Sequence, residues 1–238
     1  MQKQPVALIT GANKGLGLEI ARQLGQRGYT VVLGSRDAER GRAAAALLRQ
    51  EGLDAHDLKL DVADAGDVAA LPAFLGTRFG RLDALVNNAG VGLWKDPEGL
   101  DSFTRTFAVN LLGAVAVTYA VLPMLQAGPA GRIVNQSSRL ASLGTITQFP
   151  EQFKGSVVAS YTASKAALNG FTVALAFQLR DTPVKVNAAH PGWVRTDMGG
   201  QRAPMDIPTG ARTAVDLATL PADGPSGLFY HLGELLPW

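Results

Sequence analysis

The 238-residue chain is 47% hydrophobic and 18% charged, a balance that can bury a core and excludes the high-charge, low-apolar composition of a disordered chain. Its 22 basic and 20 acidic side chains leave a formal charge of +2, too small to make nucleic acid or an anionic membrane its main partner. There is no cysteine, and the three histidines at 56, 190 and 231 are far apart, so thiol chemistry is excluded and no metal site is expected.

In chain order, Met1 to Thr10 lacks the apolar core of a signal peptide and turns quickly into a strand at Val6–Thr10, which points to a cytoplasmic protein. Further short apolar, β-branched runs follow at Val31–Gly34, Leu58–Leu60, Leu82–Val86, Ile133–Asn135 and Val184–Ala188. Longer amphipathic stretches lie between them, among them Leu16–Arg27 and Ala38–Gln50, with Gly28 and Gly52 placed to end their helices. The nearly uncharged stretch Phe107–Leu125 has the length of a membrane span. Asn110, Thr118 and Pro123 interrupt it and strands flank it, so it reads as a buried helix, its apolar surface suited to a subunit contact in a homo-oligomer, a dimer or tetramer, with a monomer the alternative.

Strands that alternate with helices predict an α/β fold: one doubly wound parallel sheet covered by helices on both faces, spanning residues 1–238 as a single domain. Two irregular stretches break the rhythm, Arg139–Ala159 and Pro191–Pro208, and loops of that length in a compact domain tend to be functional. Gly199–Pro208, with two glycines and two prolines, reads as part of a mobile lid over residues 191–210.

The first strand runs into Gly11-Ala12-Asn13-Lys14-Gly15-Leu16-Gly17 and then a helix, where glycines permit a tight turn and the helix N-terminus offers free amides to a pyrophosphate. The spacing is GxxxGxG, not the more general GxGxxG, so the turn alone is a weak signal. At the end of the second strand an acid would bind the ribose hydroxyls of NAD. Ser35-Arg36 stands there instead, and a guanidinium suits the 2′-phosphate of NADP, with Lys14 and Arg42 as further cations. Asp37 keeps the NAD reading open, although its place before a helical run suits an N-cap.

Tyr161 and Lys165 lie four apart in a helix-favouring run and so share a face, where an ammonium would lower the phenol pKa toward a useful range. Ser137-Ser138 and Asn87-Asn88-Ala89-Gly90 each follow a strand, which brings them to the carboxyl edge where parallel sheets bind ligands.

Taken together, TGANKGLG, NNAG, Asn110, the serine pair, YTASK and Pro191-Gly192 make the chain resemble the short-chain dehydrogenase/reductase family over its whole length. It is most similar to the NADPH-dependent carbonyl reductases in Asn13-Lys14-Gly15, Ser35-Arg36-Asp37, His190–Met198 and Leu228–Trp238. The resemblance implies that Tyr161 is the general acid and that Lys165 tunes it and holds the nicotinamide ribose. It implies that Ser138 binds the substrate oxygen and that Asn110 positions a water behind Lys165. It assigns Asp61 and Val62 to adenine, Asn88, Ala89 and Gly90 to the cofactor's ribose side, and Pro191, Gly192, Val194 and Thr196 to the nicotinamide end of NADP(H).

Ser138 and Tyr161 stand further apart than in most of the family but closer than in its monomeric carbonyl reductases, and the extra segment Thr145–Ser160 bears on subunit pairing. Trp94, Phe149, Phe153, Trp193 and Met198 fall where they would border an apolar or aromatic ketone, aldehyde or quinone, though each also suits ordinary packing. Two other readings stay open: a module that binds NADP without turnover, and an alcohol dehydrogenase running oxidatively with NAD.

Overall fold

The computed structural model describes residues 4–94, 99–149 and 157–238. Its eight strands, β1 (Val6–Thr10), β2 (Thr30–Ser35), β3 (Ala55–Lys59), β4 (Ala84–Asn87), β5 (Arg132–Gln136), β6 (Lys185–Ala189), β7 (Phe229–His231) and β8 (Glu234–Leu235), form one sheet in the order 3-2-1-4-5-6-7-8. All neighbours through β7 pair in parallel, and β8 returns antiparallel. The order reverses beside β1, whose neighbours are β2 and β4, and a crevice opens there at the carboxyl edge.

The sheet is doubly wound because its central strands are apolar on both faces. Ile9, Leu33 and Val134 pack with α1 (Gly15–Gln26), α2 (Ala38–Gln50) and α7 (Ile207–Ala218). Leu8, Val32, Leu85 and Ile133 point the other way, toward α3 (Ala65–Arg78), α5 (Ala114–Ala127) and α6 (Ala159–Gln178). Each such side chain stabilises the fold by about 1.5–3 kcal/mol. Asp37, Asp64 and Asp206 cap α2, α3 and α7 by accepting from Arg40 N (3.1 Å), Asp67 N (2.8 Å) and Thr209 N (2.8 Å). Gly28 and Gly52 follow α1 and α2 with φ of 86° and 82°, as their placement predicts.

The apolar-run reading shifts β3 and omits β7 and β8. Strand β3 is Ala-His-Asp-Leu-Lys at the sheet edge, where Ala55 is buried but His56, Asp57 and Leu58 are only partly covered and Lys59 is exposed, so it needs no continuous apolar run. The helix expected at Phe107–Leu125 begins earlier, as α4 (Leu100–Phe107), and reaches α5 through a π-helical segment at Ala108–Gly113. By length and composition Leu100–Ala127 could cross a membrane, yet Val117, Val121 and Leu125 are fully buried against the sheet layer. Phe153 and much of the Thr145–Ser160 segment lie outside the described residues.

Candidate active site

A cleft of about 540 Å³ opens at the crevice, bordered by Gly11, Asn13 to Gly17, Arg36, Asp61, Val62 and Asn88 to Gly90. The turn after β1 is locked from β4. Asn88 Nδ2 donates to the carbonyls of Thr10 (2.9 Å) and Gly11 (3.2 Å), while Thr10 Oγ1 accepts from Asn88 N and Ala89 N (3.0 and 2.9 Å). Gly17 sits so close to this lock that a Cβ would fall 2.5 Å from Asn88 Nδ2 and from Gly11 O. No side chain caps the first turn of α1, so its amides remain available to a pyrophosphate in the cleft.

At the opposite end of the cleft from Tyr161, Arg36 is exposed, and Asp37, which also lines the cleft, caps α2 and pairs with Arg40. Arg195 lines the cleft as well, but the guanidinium beside Arg36 is Arg40, which the sequence reading missed, and not Arg42, which pairs with Glu39. Helical geometry separates the two: Arg40 lies in the first turn of α2, and two residues further on a side chain has rotated by about 200°. Lys14 reaches across the cleft mouth to pair with Asp197.

The other end of the cleft meets Tyr161 and Lys165, one turn apart on α6, together with Pro191, Thr196 and Met198. The phenol of Tyr161 is 8% exposed and lies beside the Ser138 hydroxyl, which stands just beyond β5 and accepts from Leu140 N at 3.2 Å. Lys165 is 4% exposed, and its Nζ donates to the carbonyl of Gln136 at 2.7 Å. Ser137, the other serine of the pair, lines the cleft where Ser138 does not, but its hydroxyl is engaged, donating to Asn169 Oδ1 at 2.5 Å. A proton donor, a hydroxyl and an ammonium are thus gathered beside a glycine turn open to a nucleotide. The pattern of the short chain dehydrogenase family matches residues 5–206.

The chain belongs to the short-chain dehydrogenase/reductase family.

This family member is therefore an oxidoreductase, and its similarity to others extends along the whole chain. It is 34% identical to carbonyl reductase (NADPH) 1 of Mus musculus over 99% of both chains, and 34% identical to (+)-neomenthol dehydrogenase of Arabidopsis thaliana over 94% of this chain and 95% of that one. The NADPH-bound carbonyl reductase from chicken fatty liver superposes with a TM-score of 0.84 at 26% identity, covering all of both chains.

Burial and hydrogen bonding set the state of Tyr161, Lys165 and Asn110 in this enzyme. Burial pushes the Tyr161 phenol up to about 12, against the opposing effect of the Ser138 hydroxyl, and pushes Lys165 down to about 8. Desolvation sets the direction of the phenol's shift, and the Lys165 ammonium is held at the Gln136 carbonyl. Asn110, in the π-helical segment, directs its side-chain hydrogen bonds to Val91 N (2.8 Å), Val91 O (2.9 Å) and Ser164 Oγ (3.1 Å) rather than to Lys165.

Of the substrate-side residues, Met198 borders the cleft, while Trp94 lies over Tyr161 with ring centroids 5.1 Å apart. Trp193 is half-exposed and donates its Nε1–H to Gly199 O at 2.7 Å. Gly192 and Val194 stand behind the cavity wall, Val194 buried against Gly210. A further feature went unread in the sequence. Asn87 Nδ2 donates to Thr118 Oγ1 (2.9 Å) and Asn135 Oδ1 (2.8 Å), and Asn135 Nδ2 to Thr172 Oγ1 (2.9 Å), a buried polar ladder joining β4, β5, α5 and α6. Its signal was an asparagine closing each of two neighbouring strands in paired register.

Proposed function

We propose that the protein is an NADPH-dependent carbonyl reductase that converts a small apolar or aromatic ketone, aldehyde or quinone to an alcohol. The observation that carries this reading is the buried Tyr161–Lys165 pair, with Ser138 beside the phenol, at the end of a cleft whose other end holds Arg36 and Arg40. When bound, the nicotinamide supplies hydride to the carbonyl carbon.

The chain's own residues do the rest. Ser138 donates a hydrogen bond to the substrate oxygen, and Tyr161, kept protonated by burial, gives its proton to that oxygen as negative charge develops. Lys165 places a cation beneath the cofactor ribose, with Asn110 fixing the Val91 segment against α6. The uncapped amides of α1 take the pyrophosphate, Asp61 and Val62 border the adenine, and Arg36 with Arg40 takes the 2′-phosphate. Pro191 and Thr196 line the nicotinamide end, with Gly192 and Val194 shaping that wall from behind. Trp94, Trp193 and Met198 give the substrate side an apolar surface, and residues 191–210 act as its lid.

The whole chain serves as one catalytic domain of a cytoplasmic enzyme. Exposed Leu112, Tyr119 and Phe177 on the outer helices favour a homo-oligomer.

The cofactor assignment is tested by titrating wild type and the Arg36→Ala/Arg40→Ala double variant with NADPH, NADH and 2′-phospho-ADP. Two charge-assisted phosphate contacts predict a loss of about 10- to 100-fold for NADPH and 2′-phospho-ADP with NADH unchanged. Equal loss for both dinucleotides would contradict the 2′-phosphate site, and NADPH binding without turnover across a carbonyl panel would point to a regulatory module.

A further inference from the structure

Two histidines stand in for missing rungs of the sheet at the edge where Ser138 and the Gly192 turn meet. The β5–β6 ladder extends past β5 through Ser137 N donating to Ala189 O at 2.8 Å. The next parallel rung would take Arg139 N to the carbonyl of residue 191, but the chain leaves the sheet at Pro191-Gly192, where Gly192 has φ 89°. Arg139 N donates to His190 Nδ1 at 3.3 Å instead.

The same substitution occurs on the other side of His190. Its N–H donates to Tyr230 O at 2.8 Å, so the following rung would bring Leu232 N to His190 O. Leu232, with φ 47°, gives its N–H to Thr213 Oγ1 at 2.8 Å, and His231 Nδ1 lies 2.9 Å from the His190 carbonyl in its place.

These partners settle both tautomers. A carbonyl only accepts, so His231 carries its proton on Nδ1. A backbone N–H only donates, so His190 Nδ1 is a lone pair. The rings sit 4.8 Å apart, and the His231 ring also covers the turn, since a Cβ on Gly192 would lie 3.1 Å from His231 Cε1. Burial, with His231 and Arg139 nearby, pushes His190 down to about 3, which preserves its lone pair through the working pH range.

We propose that His190, seated by His231, is a positioning residue for carbonyl reduction: it fixes the Ser138–Arg139 peptide, and through it the Ser138 hydroxyl, against the Pro191–Thr196 wall. The proposal rests on the reductase reading above. His190 touches neither reactant, so it acts through Ser138 and its loss should be felt only while Ser138 is present.

The test compares His190→Leu, which lacks the acceptor, with His190→Asn, whose Oδ1 can replace Nδ1, each alone and with Ser138→Ala. The expected results are a drop of about 10- to 100-fold in kcat/KM for His190→Leu, recovery to within about 5-fold in His190→Asn, and no more than about a 2-fold effect of His190→Leu in the Ser138→Ala background. Affinity for 2′-phospho-ADP should stay unchanged in all four proteins, which reports an intact fold.

A His190→Leu enzyme within 2-fold of wild type, an equal loss with and without Ser138, or an asparagine variant as poor as the leucine one would overturn the proposal. Amide exchange at Arg139 in the free protein reads the bracket without turnover. It should accelerate at least about 10-fold in His190→Leu and remain slow in His190→Asn, and identical exchange in all three proteins would overturn the bracket. Should wild type reduce no carbonyl, the reductase reading falls while this exchange arm still decides whether the bracket exists.

Discussion

Tyr161 and Lys165 are shifted in opposite directions by the same cause, and both shifts suit reduction. A phenol at about 12 is protonated at neutral pH, the state a proton donor needs, while a lysine at about 8 keeps its charge only below that value. Carbonyl reduction is therefore expected to hold a plateau at neutral pH and to fall as pH rises through about 8, measured as kcat/KM in buffers of constant ionic strength. A rate that climbs through pH 9 would contradict the assignment. The same burial costs stability. The ordinary lysine value is 10.5 and the folded value about 8, so between those limits the unfolded chain holds a proton the folded one has released, and stability rises with pH across that window. Lys165→Met should remove the penalty, raising unfolding free energy at pH 7 by about 1–3 kcal/mol after loss of the Gln136 contact, while eliminating turnover. Calorimetry at pH 7 and 10.5 checks this: the gain should shrink at the higher pH, and a lower melting temperature at pH 7 would count against it.

Among the elements, the glycine-rich turn and the segment after β4 hold each other, so their sequence tolerances are linked. A methyl at Gly17 would strike both Asn88 and the Gly11 carbonyl, and Gly17→Ala should weaken NADPH binding by at least about 100-fold with the far edge β7–β8 undisturbed, as seen by titration and by amide exchange. Binding within 3-fold of wild type would show that the turn is softer than its packing implies. Beyond the Asn88-Ala89-Gly90 turn, Gly92 leaves room for the Trp94 ring, which a Cβ there would meet at 1.6 Å. Gly92→Ala should lift the ring from Tyr161 and change KM for bulky carbonyls several-fold while leaving NADPH affinity alone, and an unchanged KM series would remove Trp94 from the substrate wall.

The elements differ in how far they could be read in advance. β1 is apolar on both faces, and β5 and β6 each carry a short apolar run, so they announce themselves. The edge strand β3 and the short β7 and β8 do not, because half-covered or two-residue strands need no apolar run. The Tyr161–Lys165 spacing and the glycine turn were legible because helix period and turn geometry fix them locally. Arg40 needed the start of α2 fixed to within a residue or two, and the Asn87–Asn135 ladder and the His190–His231 bracket depend on which segments the sheet order brings together.

At the scale of the whole molecule, sheet order does the functional work. The reversal beside β1 opens the crevice, the carboxyl ends of β4, β5 and β6 deliver Asn88, Ser137 and Pro191 to it, with Ser138 next to Tyr161, and α6 lays Tyr161 and Lys165 across the far end. A cation pair at one end and a buried proton donor at the other fit a phosphorylated dinucleotide stretched between them, with a carbonyl compound meeting it under Trp94. The most direct measurement of that arrangement follows the label from NADPH deuterated at C4 of the nicotinamide into the product of carbonyl reduction, for wild type and Tyr161→Phe. The account predicts deuterium on the former carbonyl carbon with wild type, and transfer at least about 100-fold slower in Tyr161→Phe at unchanged affinity for 2′-phospho-ADP. Product without the label, or transfer undiminished by loss of the phenol, would contradict it.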